Sequence, residues 1–517
     1  MPAESRTKKT LLNARVNLIF YFLTLLLSFF SRKIFLDCLG AEFIGLTGTL
    51  QNLLGFLNLA ELGIGTAIGY VLYKPLFDHD QEKINEIISV MGYLYRWIGL
   101  IILGAGCILA CFLPLIFPST GFPLALIYFA YFSFLASSLI GYFINYRQNL
   151  LGADQRNYVV TGYYQTMTIV KTIIQMALAY YTRSYFLWVA IELTFGIIYS
   201  FVLNWRINVT YPWLRAEIKL GKTLFKKYPE VMNKTKQLFA HKLGSFFQFQ
   251  IMPILVYSFS SLTMVALYQN YTLITTKVGG FFSNVFAGMG ASVGNLVAEG
   301  NQKKIMSVFG ELLSLRFFLS GVIVIPTFLL MDSFINLWLG QEFVLSKYTL
   351  ILILLPVFMT NINDTIYEFK FAYGLFWDVW VPLIRIVIIL CVSIPLGILY
   401  GLNGILIGPI VSLFVVVFLW NPYMLYHWGF KIHIYKYWLV FFKNISCILV
   451  GAVVSYFFMN QFNGIDVHNF FEWSLIAIPV SLVYVILSYI TFCLFTDGMN
   501  NLNLRILSFF RRFHKQS

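Results

Sequence analysis

Apolar runs of roughly 18 or more residues recur along the whole chain, and they restrict its possible folds more than any other feature. Each run is long enough to cross a hydrocarbon core about 30 Å thick. Only 11% of the 517 residues are charged, against about 25% in soluble domains. We therefore predict an all-α integral membrane protein with about fourteen transmembrane helices. The predicted spans are 14–36, 43–72, 90–117, 124–146, 158–182, 184–206, 240–261, 264–292, 311–337, 347–368, 378–400, 404–425, 438–459 and 473–495.

The distribution of basic residues orients these helices. If the N-terminus is cytoplasmic, every second loop and the C-terminus are cytoplasmic as well. About 26 of the 36 Lys and Arg residues then lie on the cytoplasmic side, and about four lie outside. We therefore predict an N-in, C-in topology. The net charge of +14 is assigned to this topology and to anionic lipid headgroups at the cytoplasmic face, so no nucleic-acid partner is predicted.

A lysine-rich loop near the middle of the chain predicts a division into two pseudo-symmetric bundles. Its apolar residues predict an amphipathic surface helix within the loop. Weak similarity between residues 45–84 and 267–305 favours a parallel repeat. The predicted parts are an N-terminal six-helix bundle (1–210), a basic cytoplasmic linker (211–240), a C-terminal six-helix bundle (241–425), and two additional helices with a basic cytoplasmic tail (426–517).

The sequence contains no recognisable catalytic or metal-binding motif. Six cysteines and six histidines are dispersed, without the spacing of a metal site. Residues 216–223 fit a loose phosphate-loop pattern, but the preceding strand that this motif requires is missing. The predicted outside loops are also short for a membrane-bound sugar polymerase or ligase. We therefore predict a transporter rather than an enzyme, with no catalytic residue, metal or cofactor.

Basic side chains within the apolar spans are the candidate substrate-binding residues, because a charge at mid-bilayer costs roughly 2.5–3.5 kcal/mol. Lys171 and Lys277 lie mid-span, where their side chains cannot easily reach the interface. Arg96, Arg316 and Arg385 lie nearer the span ends, so each is either an interfacial anchor or a cavity residue. Because basic groups outnumber acidic ones, we predict a cationic cavity that attracts phosphate, diphosphate or carboxylate.

Three acidic residues within the spans are candidates for ion coupling. These are Glu61, Glu192 and Asp364. A buried carboxyl such as that of Glu61 can take up H⁺ or Na⁺, and a packing hydrogen bond beside Gly63 and Gly65 is the alternative. Ion pairing within the membrane, for example between Lys171 and Glu192, is the alternative role for any single charge.

Two regions of the sequence resemble bacterial polysaccharide and O-antigen flippases. Residues 52–75 read NLLGFLNLAELGIGTAIGYVLYKP and are followed by LFDHDQEKI. This stretch resembles the second helix of those proteins. Tyr268-Gln-Asn-Tyr271 and Ser292-Val-Gly-Asn-Leu296 resemble the eighth. The family lies within the multidrug/oligosaccharidyl-lipid/polysaccharide exporter superfamily, abbreviated MOP.

The resemblance implies a cargo of undecaprenyl-diphosphate-linked oligosaccharide. It implies movement from the cytoplasmic to the periplasmic leaflet of a bacterial inner membrane by alternating access, with ion coupling and contact with the polysaccharide polymerase machinery left open. The last two spans would lie outside a twelve-helix core. A multidrug/cation antiporter, a peptidoglycan-precursor flippase and, less favoured, a membrane-bound polymerase or ligase are the alternatives.

Overall fold

The computed structural model describes residues 6–61, 63–118, 120–286, 289–375, 377–378, 380–462 and 467–514. The described residues form helices and turns, without strands. The chain divides into two compact units, Met1–Ala266 and Leu267–Ser517, and each is treated by itself below. Residues 515–517 of the predicted tail and the Ser292 side chain of the eighth-helix motif lie outside the described part of the chain.

The first unit is built from ten helices and the start of an eleventh. In chain order they are α1 (Arg6–Leu57), α2 (Ile64–Phe77), α3 (Gln81–Cys111), α4 (Leu113–Ile116), α5 (Leu124–Phe143), α6 (Gln148–Ala153), α7 (Asn157–Thr182), α8 (Tyr185–Thr210), α9 (Gly221–Lys227), α10 (Pro229–Phe259) and α11 (Leu262–Phe286).

The second unit contains the remainder of α11 and nine further helices. They are α12 (Met289–Ala298), α13 (Gln302–Trp338), α14 (Lys347–Ala372), α15 (Val381–Tyr400), α16 (Leu402–Leu413), α17 (Asn421–Met424), α18 (Tyr435–Asn460), α19 (Phe470–Phe495) and α20 (Asp497–His514). π-helical turns at Phe414–Trp420 and Leu425–Phe430 flank α17 and join it to α16 in one continuous rod.

Ten helices of the described residues are long and apolar enough to cross a membrane. The predicted all-α, multi-pass membrane protein is therefore confirmed. The count of fourteen spans and the N-in, C-in orientation stay predictions, as do the four predicted parts of the chain. Among the remaining helices, α7, α10 and α11 exceed 24 residues, and polar side chains lower their mean hydropathy.

The first two predicted spans correspond to one long helix, α1, which is followed by a break and then by the shorter α2. α1 bends at Gly40, whose φ of 83° is left-handed and favours glycine. The helical path stops at a 3₁₀ turn, Asn58–Glu61, and resumes as α2 after Gly63, which also has a left-handed φ of 95°. Sequence patterning predicts one continuous span over 43–72, whereas the structure interrupts it beside Glu61.

The predicted basic linker is docked on α3. Asn85 Oδ1 accepts the Arg215 backbone N–H at 2.6 Å, and Ser89 Oγ accepts that of Glu217 at 2.9 Å. Lys227 Nζ lies 2.7 Å from the Glu86 carboxylate. The surface helix predicted for this linker corresponds to the short α9. The next helix, α10, begins at Pro229, before the predicted start of the seventh span at residue 240.

The last helix of the second unit, α20, packs along α13. A Cβ added at Gly498 would lie 2.3 Å from the Gly310 carbonyl oxygen, so the two backbones are in direct contact there. Arg505 Nη2 donates to Glu311 Oε1 at 3.0 Å, and the Glu311 side chain is 2% exposed. Part of the predicted basic tail is therefore an ordered helix that satisfies a buried carboxylate of α13.

Candidate functional site

Glu61 lies at the helix break between α1 and α2 and is held by two tyrosines. Tyr95 of α3 donates its hydroxyl to Oε1 at 2.6 Å, and Tyr142 of α5 donates to Oε2 at 2.9 Å. Both tyrosines are almost completely buried. Asn58 Oδ1 also accepts from Tyr142 at 3.1 Å. Both carboxylate oxygens therefore accept from neutral hydroxyl donors.

A pocket of about 450 Å³ adjoins this cluster. Polar residues line it at Asn58, Glu61, Thr66, Tyr73 and Asn149, and small residues of α2 and α6 complete its wall. A water molecule occupies about 30 Å³ of liquid volume, so the pocket has room for several. Its lining includes Gly152 and Ala153 of α6, next to a turn that is predicted to be cytoplasmic. Glu61 is therefore next to a polar space through which H⁺ or a hydrated cation could reach it.

Lys171 of α7 and Glu192 of α8 form an ion pair within the first unit. Lys171 Nζ lies 2.5 Å from Glu192 Oε1, and the side chains are 17% and 20% exposed. Gln175 Nε2 donates to the other Glu192 oxygen at 3.1 Å and to the Trp188 carbonyl at 3.0 Å. The ion pair between Lys171 and Glu192, which the sequence left open as an alternative, is therefore present in the structure. The assignment of Lys171 to a substrate cavity, and of Glu192 to ion coupling, stays a prediction.

A double-mutant cycle tests this pair. We expect Lys171→Met to lower the melting temperature of the purified protein, because Glu192 then stays largely buried without its cation. Adding Glu192→Gln should restore part of the loss, with a coupling energy of about 1–2 kcal/mol. The exposed pair of Lys83 and Asp80, with side chains 58% and 30% exposed, is the control and should show no measurable coupling, because solvent screens it. Additive effects at Lys171 and Glu192 would contradict the pairing.

Arg316 of α13 is shared by two carboxylates of α14 in the second unit. Its guanidinium lies 3.4 Å from Asp364 and 3.2 Å from Glu368. The Arg316 side chain is 8% exposed, whereas Asp364 is 39% exposed. The structure thus brings together a predicted substrate-binding residue and a predicted coupling residue. Two carboxylates against one guanidinium leave an excess negative charge when all are ionised, which suits uptake of H⁺ or a cation.

The other three predicted substrate-binding residues lie on three different helices. Arg96 is exposed on α3, next to Trp97, whose side chain is also exposed. Lys277 is partly buried on α11, and Arg385 is partly buried on α15, where its carbonyl accepts the Ser412 hydroxyl. Their assignment to one cationic cavity stays a prediction.

Sequence reasoning missed a second buried ion pair in the second unit. Lys370 of α14 donates to Asp378 and, at 3.1 Å, to Asn421 Oδ1. Trp420 Nε1 donates to Asp378 at 2.9 Å, and Asn421 Nδ2 donates to Asn363 at 3.0 Å. Lys370 and Asp378 lie at predicted span ends, where the sequence alone does not distinguish a buried pair from interfacial charges. No signal in the single sequence pairs them with the π-helical region after α16.

Ten long apolar helices, one of the spans broken beside Glu61, define the class of polytopic membrane proteins among the described residues, and comparisons of fold agree with it. The chain is similar in structure to a lipid II flippase, MurJ, in an inward closed conformation, with a TM-score of 0.63 and 16% identity. This similarity covers 92% of the present chain and 98% of the flippase.

A second similar structure is an inward-facing multidrug resistance MATE family transporter of the MOP superfamily. Its TM-score is 0.55 at 15% identity, with 79% of this chain and 97% of the transporter covered. No model of a protein family matches the sequence, and no curated protein is similar to it in sequence. The chain therefore has the fold of MOP-type transporters. Both similar proteins are membrane transporters or flippases, in agreement with the prediction that the chain is not an enzyme.

Proposed function

We propose that this chain moves undecaprenyl-diphosphate-linked oligosaccharide units from the cytoplasmic to the periplasmic leaflet of a bacterial inner membrane, for surface polysaccharide synthesis. The observation that carries the proposal is the extent of the structural similarity. It includes 92% of this chain for the lipid flippase, against 79% for the multidrug transporter. More of this chain therefore has a counterpart in the lipid II flippase than in the multidrug transporter.

The charge of the cargo suits the charges of the chain. Basic residues outnumber acidic ones by 36 to 22, and Arg96, Lys277 and Arg385 are cationic groups on three different helices. A diphosphate forms charge-assisted hydrogen bonds with such groups. In this proposal Lys171 and Arg316 exchange their carboxylate partners for the diphosphate, and the released carboxylates take up cations. A cationic drug would be repelled by the same groups, which disfavours the antiporter.

Energy for the cycle would come from an ion gradient through Glu61. The support is its position at a helix break, its two hydroxyl donors and the adjoining polar pocket. Asp364, beside Arg316, is a second acceptor of H⁺ or Na⁺ in the proposal. The basic cytoplasmic loops would bind anionic headgroups, and the polysaccharide polymerase machinery would receive the translocated units. No nucleotide or other cofactor takes part.

A strain that lacks the gene tests the function. We expect undecaprenyl-linked repeat units to accumulate on the cytoplasmic side and surface polysaccharide to be lost, with both defects corrected by the wild-type gene. We expect Glu61→Gln to restore less than about a tenth of the surface polysaccharide at equal protein level. Glu299→Gln is the matched control, because that carboxylate lies in an exposed ion pair with Lys304 and should complement fully.

The outcomes separate the function from the site. Full complementation by Glu61→Gln would keep the flippase and reject Glu61 as its coupling residue. Unchanged surface polysaccharide without accumulation in the deletion strain would reject the flippase for surface polysaccharide and favour the antiporter.

A peptidoglycan-precursor flippase is the second candidate, because one structurally similar protein is a lipid II flippase. Depletion of the gene product distinguishes the two. Loss of a flippase for the lipid-linked peptidoglycan precursor should arrest growth and cause lysis. Loss of a flippase for surface polysaccharide should leave the cell wall intact.

A further inference from the structure

The first unit has a second pocket, of about 590 Å³, which shares no lining residue with the pocket beside Glu61. It lies where the start of the second part of α1, the loop after α4 and the α10–α11 turn meet. All three segments belong to loops or span ends that are predicted to be on the outside. Hydroxyl-bearing side chains line it, notably Thr120, Tyr257, Ser258, Ser260 and Thr263.

We call this second pocket the outer pocket. Direct contacts between its neighbouring segments fix its walls. Glu42 Oε1 accepts the Gly121 backbone N–H at 3.1 Å and ties α1 to the loop before α5. Tyr257 donates its hydroxyl to the Ile116 carbonyl at 2.8 Å, and its ring stacks on Phe117 with centroids 5.1 Å apart. These contacts join α1 to the loop before α5, and α10 to α4 and the residue that follows it, and so fix the walls of the pocket.

The chemistry of the lining selects a neutral polyhydroxylated ligand. Its one described charged side chain is the Glu42 carboxylate, and its remaining polar groups are hydroxyls. Sugar hydroxyls donate to carboxylates and both donate to and accept from Ser and Thr. Leu53, Leu115 and Ile254 add apolar surface for the C–H faces of a sugar ring. A diphosphate would be repelled by Glu42, since the described lining contains no basic side chain.

We propose that the outer pocket is a sugar-binding site that holds one or two sugar rings. This inference rests on the proposed function for its physiological ligand, the oligosaccharide end of the lipid-linked cargo. It assigns the sugar and the diphosphate to different places on the chain. The sugar end would be held by hydroxyls at the predicted outer face of the first unit, and the diphosphate by cationic groups within the spans.

Saturation-transfer NMR on the purified full-length protein tests the site, with free N-acetylglucosamine and glucose as the probes. The protein is placed in lipid nanodiscs, because the maltoside headgroups of common detergents would themselves compete for a sugar site. We expect saturation transfer to the sugar ring protons. The dissociation constant should rise roughly tenfold in Glu42→Gln, where a charged acceptor becomes neutral while the bond from Gly121 can be retained.

Two further variants test whether a loss of sugar affinity is specific to the outer pocket. Ser258→Ala, at an exposed lining residue, should also weaken binding without disturbing the fold. Glu472→Gln is the matched control: its carboxylate similarly accepts a backbone N–H, that of His468 at 2.8 Å, and it lies in the second unit. We expect its sugar affinity to equal that of the wild type.

Each result has a defined meaning. No saturation transfer to either sugar at tens of millimolar, or equal binding by wild type, Glu42→Gln and Ser258→Ala, would overturn the sugar site. Binding of Na⁺ rather than sugar, detected by ²³Na relaxation and lost in Glu42→Gln, would overturn its ligand class. Sugar binding by the wild type, together with unchanged surface polysaccharide in the deletion strain, would support the site and reject the proposed function. Normal correction without sugar binding would overturn the site alone.

Discussion

Replacing Lys370 with alanine is expected to destabilise the second unit by about 3–5 kcal/mol, because it leaves a buried carboxylate without its cation. Lys370 and Asp378 are only 7% and 8% exposed. In the variant, Asp378 would keep the indole N–H of Trp420 but lose its ammonium partner. For a unit of this size we expect a fall in melting temperature of roughly 10 °C. Thermal unfolding of the purified protein, followed by tryptophan fluorescence, measures it.

The matched control is an exposed lysine of the same helix. Lys347, at the start of α14, pairs with Asp332 at 3.1 Å, with side chains 48% and 31% exposed. Solvent screens such a pair, so Lys347→Ala should cost less than about 1 kcal/mol. Equal melting temperatures for the Lys347 and Lys370 variants would contradict a stabilising role for the buried pair.

The second large effect is expected at Gly45, where even one methyl group should abolish transport. A Cβ at this position would lie 1.9 Å from the carbonyl oxygen of Leu262, far inside van der Waals contact. Because that atom belongs to the backbone, no side-chain rotation can relieve the clash. In Gly45→Ala, α1 must therefore move away from the α10–α11 turn. We expect surface polysaccharide to fall to the level of the deletion strain while the protein still reaches the membrane.

Gly104 of α3 provides the control for this substitution. A Cβ at Gly104 meets no atom within 4 Å, so Gly104→Ala should complement as well as the wild type. Gly45→Ala that restores full surface polysaccharide would show that the close contact with Leu262 is dispensable. Immunoblots of the membrane fraction exclude low protein level as the cause of a defect.

The helical membrane fold is readable from the sequence because its cause is local. A run of apolar residues that must satisfy its own backbone hydrogen bonds in lipid forms a helix. The partnership of Lys171 and Glu192 was also within reach, since the two residues lie on consecutive spans joined by a short turn. Both conclusions need only the order of residues along one or two neighbouring helices.

Other features depend on contacts between distant segments and could not be predicted in this way. The donors to Glu61 are two tyrosines among 32, and nothing in their neighbourhoods distinguishes Tyr95 and Tyr142. Lys370 and Asp378 are eight residues apart, but their burial depends on Trp420 and Asn421 from a later helix. The interruption beside Glu61 is signalled only by Gly63 and Gly65, which also occur in intact packed helices.

The break at Asn58–Glu61 makes α2 a short lever whose base lies beside one carboxyl group. α2 has 14 residues and is therefore about 21 Å long. A change of roughly 10° in its direction at Gly63 displaces its far end by about 4 Å. Tyr95 and Tyr142 bond Glu61 to α3 and α5, so under the proposed coupling a change in these bonds on protonation of Glu61 would alter the angle at which α2 leaves α1. In that proposal the gain or loss of one proton would produce a displacement comparable to the width of a water molecule.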